Sequence, residues 1–322
     1  MQQSPDLTNN TAEQEYLIKR LSKENTRDLA LLHSEVYSTS VNEDYFIKKY
    51  DTAYTGIEYI GFVAYHKNGL PIAYYGVIPC FITFQTATVL AAQSADTMTH
   101  PKHRYKGMFV DLSKKTFDLC KQNGIQLIFG FPNQNSYHGA VHKLGWKQTE
   151  TMQCFTMTTR AFPFKKMLTV LGLVRLYNSY MRYVVNKYSI RSKAVNSSVI
   201  ADGFGGVYRN EAFFSYKKYN ETHVLIIGNS KIWISIRDSL IIGDMENVTE
   251  KNFQMVIQSI KRIARKLGIR KIQFHCCKDT TLYNLFSNSS RGIPSFPVLF
   301  QDLNSSVPIE KIKFTFADID IF

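Results

Sequence analysis

No CxxC pair occurs in the sequence, and its five cysteines, Cys80, Cys120, Cys154, Cys276 and Cys277, are odd in number. Both absences argue against a disulfide framework and a zinc ribbon. None of the histidines His100, His103, His138 and His142 is spaced with acidic partners as metal ligands are, so no metal is expected. No apolar run reaches the roughly 18 residues that a membrane-spanning helix needs. The opening MQQSPDLTNNTAEQEY is polar and lacks the apolar stretch of a secretory signal. A cytoplasmic location is the expectation, and the six Asn-x-Ser/Thr triplets then read as chance in an Asn- and Ser-rich chain. Acidic residues are also scarce: 26 Asp and Glu face 39 Lys and Arg, a net charge of +13. That balance favours anionic partners, whether nucleic acid, membrane headgroups or a phosphate-bearing ligand.

What is present is enough to fold. Hydrophobic residues make up 44% of the 322 positions and aromatics 13%, which excludes disorder as the general state. The length suits two domains better than one. A short strand over 16–20 leads to a helix from about Glu24 to Tyr37 and a second around Asp44–Tyr50. The runs EYIGFVAYH and LPIAYYGVIP flank Lys67-Asn68-Gly69, a hairpin pattern. Residues 80–90 read as a further β-rich stretch, and 91–99 continue as a strand of small residues that Pro101 ends. A helix follows, with Phe109, Leu112, Thr116 and Leu119 on one face, then the apolar run 125–131, as expected of a strand buried on both faces. A helix over 136–144 and a strand near 150–158 close this part. The order predicts an α/β layered fold, a mixed and mostly antiparallel sheet flanked by helices.

Between Thr151 and Ala201 acidic residues are absent altogether, while Arg160, Lys165, Lys166, Arg175, Arg182, Lys187, Arg191 and Lys193 are basic. Met167, Leu171, Val174, Met181, Val185 and Tyr188 keep a helical period there, which predicts a long amphipathic basic helix or a helix pair. Three roles are open for 160–193: a packed connector with solvated charges, attachment to an anionic membrane surface, or contact with an anionic acceptor such as tRNA. Strands within 207–247, a basic amphipathic helix over 250–267 and a strand over 271–275 predict a second, smaller α/β unit. The expected division is 1–159, a connector 160–196, and 197–322.

The stretch 94–119 carries the chemistry. A strand breaks at Pro101 into the loop Arg104-Tyr105-Lys106-Gly107-Met108-Phe109, which runs directly into a helix. Unpaired N–H groups at a helix start, a glycine that lets backbone approach a ligand, and Lys102, His103, Arg104 and Lys106 around it suit a phosphate or pyrophosphate. A lone Arg-x-x-Gly is a weak signal; the ordered strand, proline, loop and helix strengthen it.

This stretch resembles the cofactor-binding core of the GNAT superfamily of N-acetyltransferases. Thr99-His100-Pro101 and Arg104-x-x-Gly107-x-Phe109 stand in the places of that family's Val-x-Pro and Arg/Gln-x-x-Gly-x-Gly/Ala. Asn133-Gln134-Asn135-Ser136-Tyr137 and Lys143-Leu144-Gly145-Trp146 are similar to its Asn-rich turn and its closing Lys-Leu-Gly-Phe. The resemblance covers about 16–158. It implies a GNAT-like fold with acetyl-CoA as co-substrate, held by the amides of Arg104, Tyr105, Lys106, Gly107, Met108 and Phe109, with Asn133 and Asn135 nearby. The backbone of Met98 and Thr99 would pair with the pantetheine arm as an extra strand. A small amine or amino-sugar acceptor would attack the thioester directly. Phe109 departs from the family's Gly or Ala, and Val141 stands where the family's acidic tyrosine usually lies; Tyr137 and His138, one turn earlier, are the substitutes. Asp96, on the strand entering the loop, is the candidate base, with a purely structural role weighed equally against it.

The closing FTFADIDIF resembles the ends of two-domain bacterial GNAT proteins with a second, degenerate unit. Two further readings stay open: a Fem-type aminoacyl-tRNA-dependent peptidyltransferase, which pairs two such units but lacks a good acetyl-CoA loop, and a non-catalytic binding module.

Overall fold

The computed structural model describes residues 16–162, 164–189 and 194–322; Arg191 and Lys193 of the basic segment lie outside these. The strands are β1 (Tyr16–Arg20), β2 (Ile60–His66), β3 (Pro71–Phe84), β4 (Ala87–Thr99), β5 (Leu127–Gly130), β6 (Lys147–Thr158), β7 (Gly206–Val207), β8 (His223–Ile227), β9 (Ser230–Ile236), β10 (Leu240–Glu246), β11 (Lys271–Cys276) and β12 (Ile293–Asp302). The helices are α1 (Thr26–Tyr37), α2 (Glu43–Tyr50), α3 (Met108–Gln122), α4 (Gln134–His138), α5 (Phe164–Val170), α6 (Val174–Asn186), α7 (Ser198–Ala201), α8 (Glu211–Tyr216), α9 (Glu250–Lys266) and α10 (Thr281–Ser287).

The strands form one sheet in the order β1-β2-β3-β4-β5-β12-β6-β11-β10-β9-β8, with β7 beside β3. Most pairs are antiparallel; β4–β5 and β10–β11 are parallel. The mixed sheet and flanking helices are the expected fold class. The β2–β3 turn follows its sequence signal: Gly69 has φ 86° and its amide donates to His66 O. Buried β5 is likewise as expected. The run from 80 to 99 is different. It is not two stretches in line but a hairpin, β3 turning at Gln85-Thr86 into β4, with Gln85 at φ 53°. No glycine or proline marks that turn, so composition gave no signal.

The chain traces the same path twice. Strands β2, β3 and β4, then α3, β5, a helical turn and β6 are matched by β8, β9 and β10, then α9, β11, α10 and β12. Each path lends its last strand to the other: β12 lies between β5 and β6, and β6 lies between β11 and β12. Strand β12 contains Pro294 and Pro297, and its ladder with β6 slips between those residues. The irregularity accommodates two residues that cannot donate to a ladder. The five cysteines are buried and unpaired, with Cys276 and Cys277 in apolar clusters on opposite faces of the sheet.

Candidate functional site

The two parallel pairs, β4–β5 and β10–β11, are where the sheet can open. The first pair ends at Gln93↔Phe129, while β4 continues to Thr99. Among the described residues no strand pairs with this far stretch of β4 on its β5 side. The second opening is filled by the chain's own tail. Phe314 O accepts from the Cys277 amide, Thr315 bridges Cys276, and the Phe322 ring lies where a Cβ on Gly243 would have to be. Buried Arg209 holds that tail: Nη1 is 2.5 Å from Asp244 and Nη2 is 2.7 Å from Asp318. The two openings are thus unlike.

The β4 edge carries a bulge. Tyr74 pairs with Met98 and Gly76 with Ala95, so Asp96 and Thr97 stand opposite Tyr75 alone, and Asp96 takes φ 49°. This re-aims the side chain, as bulges do. Asp96 Oδ2 lies 2.7 Å from Lys49 Nζ and accepts from the Tyr50 hydroxyl at 2.8 Å. Lys49 Nζ also lies 2.7 Å from Asp320 Oδ2, whose other oxygen accepts from Gln93 Nε2 at 3.1 Å. The Lys49 ammonium is fully enclosed; burial pushes it down, but Asp320 and Asp96 carry it well above the usual lysine value. Burial, then the Asp96 charge, push the Tyr50 hydroxyl well up. Lys217 donates to Ile319 O at 2.7 Å, and burial pulls it down to about 8 against the opposing pull of Asp320 and Asp318. Lys49, Tyr50, Lys217 and Asp320 were not sequence candidates. One signal existed: Phe46, Lys49 and Tyr50 share the buried face of α2, and a lysine at such a position needs an acid. Its partner lies 271 residues away.

The cofactor candidates fall around the end of β4 and the start of α3. Met98 is buried, Thr99 O accepts from Arg104 Nε at 3.4 Å, and Tyr105 stands fully in solvent at φ 66°. Lys106 Nζ reaches the Tyr16 hydroxyl at 2.6 Å. Gly107, at φ 79°, caps α3; Val110 and Asp111 donate to its carbonyl, so the amides of Met108 and Phe109 occupy the helix start, which has no intrahelical acceptor. Met108 turns into the core. The Phe109 ring packs on Tyr75 at 6.0 Å and covers Gly139, where a Cβ would come within 2.7 Å of it. The bulky residue therefore points inward, onto the α4 turn.

Across from α3, the Asn133 side chain caps α4, accepting from Asn135 N at 2.9 Å and Ser136 N at 3.1 Å, while Asn135 itself is exposed. Tyr137 donates to Gln148 Oε1 on β6 at 2.5 Å. His138 is exposed against His142, ring centroids 4.6 Å apart, and Val141 packs with the α3 core. Asp96 thus makes its contacts with α2, and Tyr137 with β6. A groove of about 580 Å³ runs between α2 and α8, lined by Lys48, Asp51, Tyr54, Ser215, Tyr216 and Lys218. Its wall is tied to the Asp96 cluster by Tyr216, whose hydroxyl donates to Lys49 O at 2.7 Å.

Strand edge, proline-ended loop and helix start thus follow one another in the order that the sequence predicts. Residues 17–149 match the family model described as acetyltransferase (GNAT) domain. Solved structures extend the likeness of fold to nearly the whole chain. A GCN5-related N-acetyltransferase from Kribbella flavida aligns over 90% of this chain and 71% of its own, at 9% identity and TM-score 0.57. One from Anabaena variabilis does so over 90% and 73%, at 14% identity and TM-score 0.57. The N-myristoyltransferase of Saccharomyces cerevisiae with bound myristoyl-CoA covers 91% of this chain and 80% of its own, at 10% identity and TM-score 0.55. No curated protein matches by sequence.

Proposed function

We propose that the protein transfers an acetyl group from acetyl-CoA to the nitrogen of a small amine or amino sugar, by direct attack without an acyl-enzyme. The observation that carries this reading is the unpaired edge of β4 beyond Gln93, leading through Pro101 to the start of α3. An extended pantetheine arm matches a strand edge, and a pyrophosphate matches a helix start flanked by Arg104 and Gly107. Asn133 and Asn135 serve through the turn they order. The plugged second opening leaves one cofactor site. The chain divides in this reading at 159 and 196, the last part supplying one wall of the acceptor cleft, for which the groove between α2 and α8 is the candidate.

In the reaction the amine lone pair forms the C–N bond at the thioester carbon, and the C–S bond breaks to release the CoA thiolate. The ammonium proton goes to Asp96, whose described contacts both fall on Oδ2. Lys49 holds that carboxylate in place. Tyr137 or His138 returns a proton to the thiolate; for Tyr137 this requires release from Gln148.

Calorimetric titration with acetyl-CoA, CoA and a longer acyl-CoA tests the reading. Micromolar binding that weakens at least tenfold in Gly107→Glu is expected, since a carboxylate there meets the phosphates. Binding of the longer acyl-CoA alone would move the reading to another acyl group; no binding of any would sink it.

A further inference from the structure

The basic connector folds into a hairpin, α5 and α6 joined at Gly172, which has φ 72°. Helix α6 carries two apolar stripes. Tyr177, Met181, Val184 and Val185 are buried in the core shared with β8 and α9. Beside them Leu176 and Tyr183 face outward, 61% and 59% exposed, with the half-exposed Tyr180 between them, its hydroxyl donating to Lys266 O. This second stripe meets the hairpin tip, where Val170 is 87% and Leu171 65% exposed, with Leu173 and Val174 exposed beside them. Large apolar side chains gathered at one place on a surface mark an interaction face.

Charge identifies what covers it. The exposed Arg175 and Arg182 lie seven positions apart, hence on one side of α6, and Lys187 Nζ stands 4.2 Å over the Tyr183 ring. No acidic residue lies in the sequence between Thr151 and Ala201, and among the described residues Lys165 of the hairpin pairs with Asp238. A second copy of this face would set arginines against arginines. An anionic lipid surface satisfies both features at once: the tip enters the boundary between headgroups and acyl chains, the arginines extend to the phosphates, and the tyrosines sit at the interface. No helix among the described residues is long and apolar enough to cross a membrane, which fits a chain lying on one. We propose that the α5–α6 hairpin docks the protein on an anionic membrane surface. The inference does not depend on the acyltransferase reading.

Sedimentation of the full-length protein with vesicles tests it. Phosphatidylcholine vesicles containing phosphatidylglycerol should pellet the protein, pure phosphatidylcholine vesicles should not, and high salt should release it. Val170→Glu with Leu171→Glu should abolish pelleting. Arg175→Gln with Arg182→Gln should weaken partitioning about 30-fold, from the per-charge attraction of an anionic surface. These sites are exposed, so both variants should melt as the parent does. Failure to pellet with anionic vesicles overturns the proposal, as does equal pelleting of either variant. So does a dimer in light scattering that the Val170→Glu/Leu171→Glu protein loses, or salt-sensitive tRNA binding without vesicle binding.

Discussion

At the scale of single residues, the cluster around Lys49 sets two expectations. Asp96 accepts one buried ammonium and one phenol on the same oxygen. If it takes the acceptor's proton, Asp96→Asn lowers kcat at least a hundredfold, the usual worth of a positioned base, with acyl-CoA affinity almost unchanged. Unchanged turnover would leave Asp96 a purely structural ligand of Lys49. Lys217 gives a pH signature. Burial lowers its folded value to about 8, below that of an unfolded lysine, so the unfolded chain binds more protons between the two values. Its cost is therefore present below about pH 8 and is relieved as pH rises toward about 10, a swing of roughly 3 kcal/mol. Lys217→Met removes the swing. Urea unfolding on both sides of this window should show the parent gaining on the variant as pH rises; parallel pH profiles would contradict the assignment.

At the scale of elements, the contact of α3 with the α4 turn replaces what a small residue at 109 would leave open. The Phe109 ring fills the space over Gly139, so Gly139→Leu should cost about 1–3 kcal/mol by overpacking. Adding Phe109→Ala should restore much of it, and a double-mutant cycle in urea measures the coupling. The strand, loop and helix around 94–119 were legible because proline, glycine and apolar period each leave a local mark. The Gln85-Thr86 turn was not, having neither residue that usually announces a turn. Strand β12 was not among the expected strands: Pro294 and Pro297 cannot donate to a ladder, and the pairing with β6 slips around them. The basic segment was legible as a helix pair, but its period ran across Gly172 and merged exposed Met167, Leu171 and Val174 with buried Met181 and Val185. The Lys49–Asp320 pair was out of reach, since nothing local links α2 to the chain's last residues.

At the scale of the molecule, the exchanged strands bind the two halves of the chain into one sheet. Strands β12 and β11 flank β6 and β12 also covers β5, so a protein ending at Asn196 leaves one edge of β5 and both edges of β6 bare. Such a fragment should be insoluble or lack a cooperative melt, and acceptor turnover should be lost; a folded, fully active fragment would falsify the shared-cleft reading. The intact chain should melt in a single calorimetric transition, whereas two resolved transitions would mean the exchange does not couple the halves.

The same exchange governs the order of events as the polypeptide leaves the ribosome. Leu127–Gly130 emerges well before the strand that covers its open side, which pairs Leu299 with Gly130 and Asp302 with Leu127. Until then the nascent N-terminal half carries an apolar strand with one edge unsatisfied, a template for pairing with neighbouring chains. Closing so long a loop is also slow. Refolding yield should therefore fall steeply with protein concentration, and the earlier strand must wait, half-paired, for the later one.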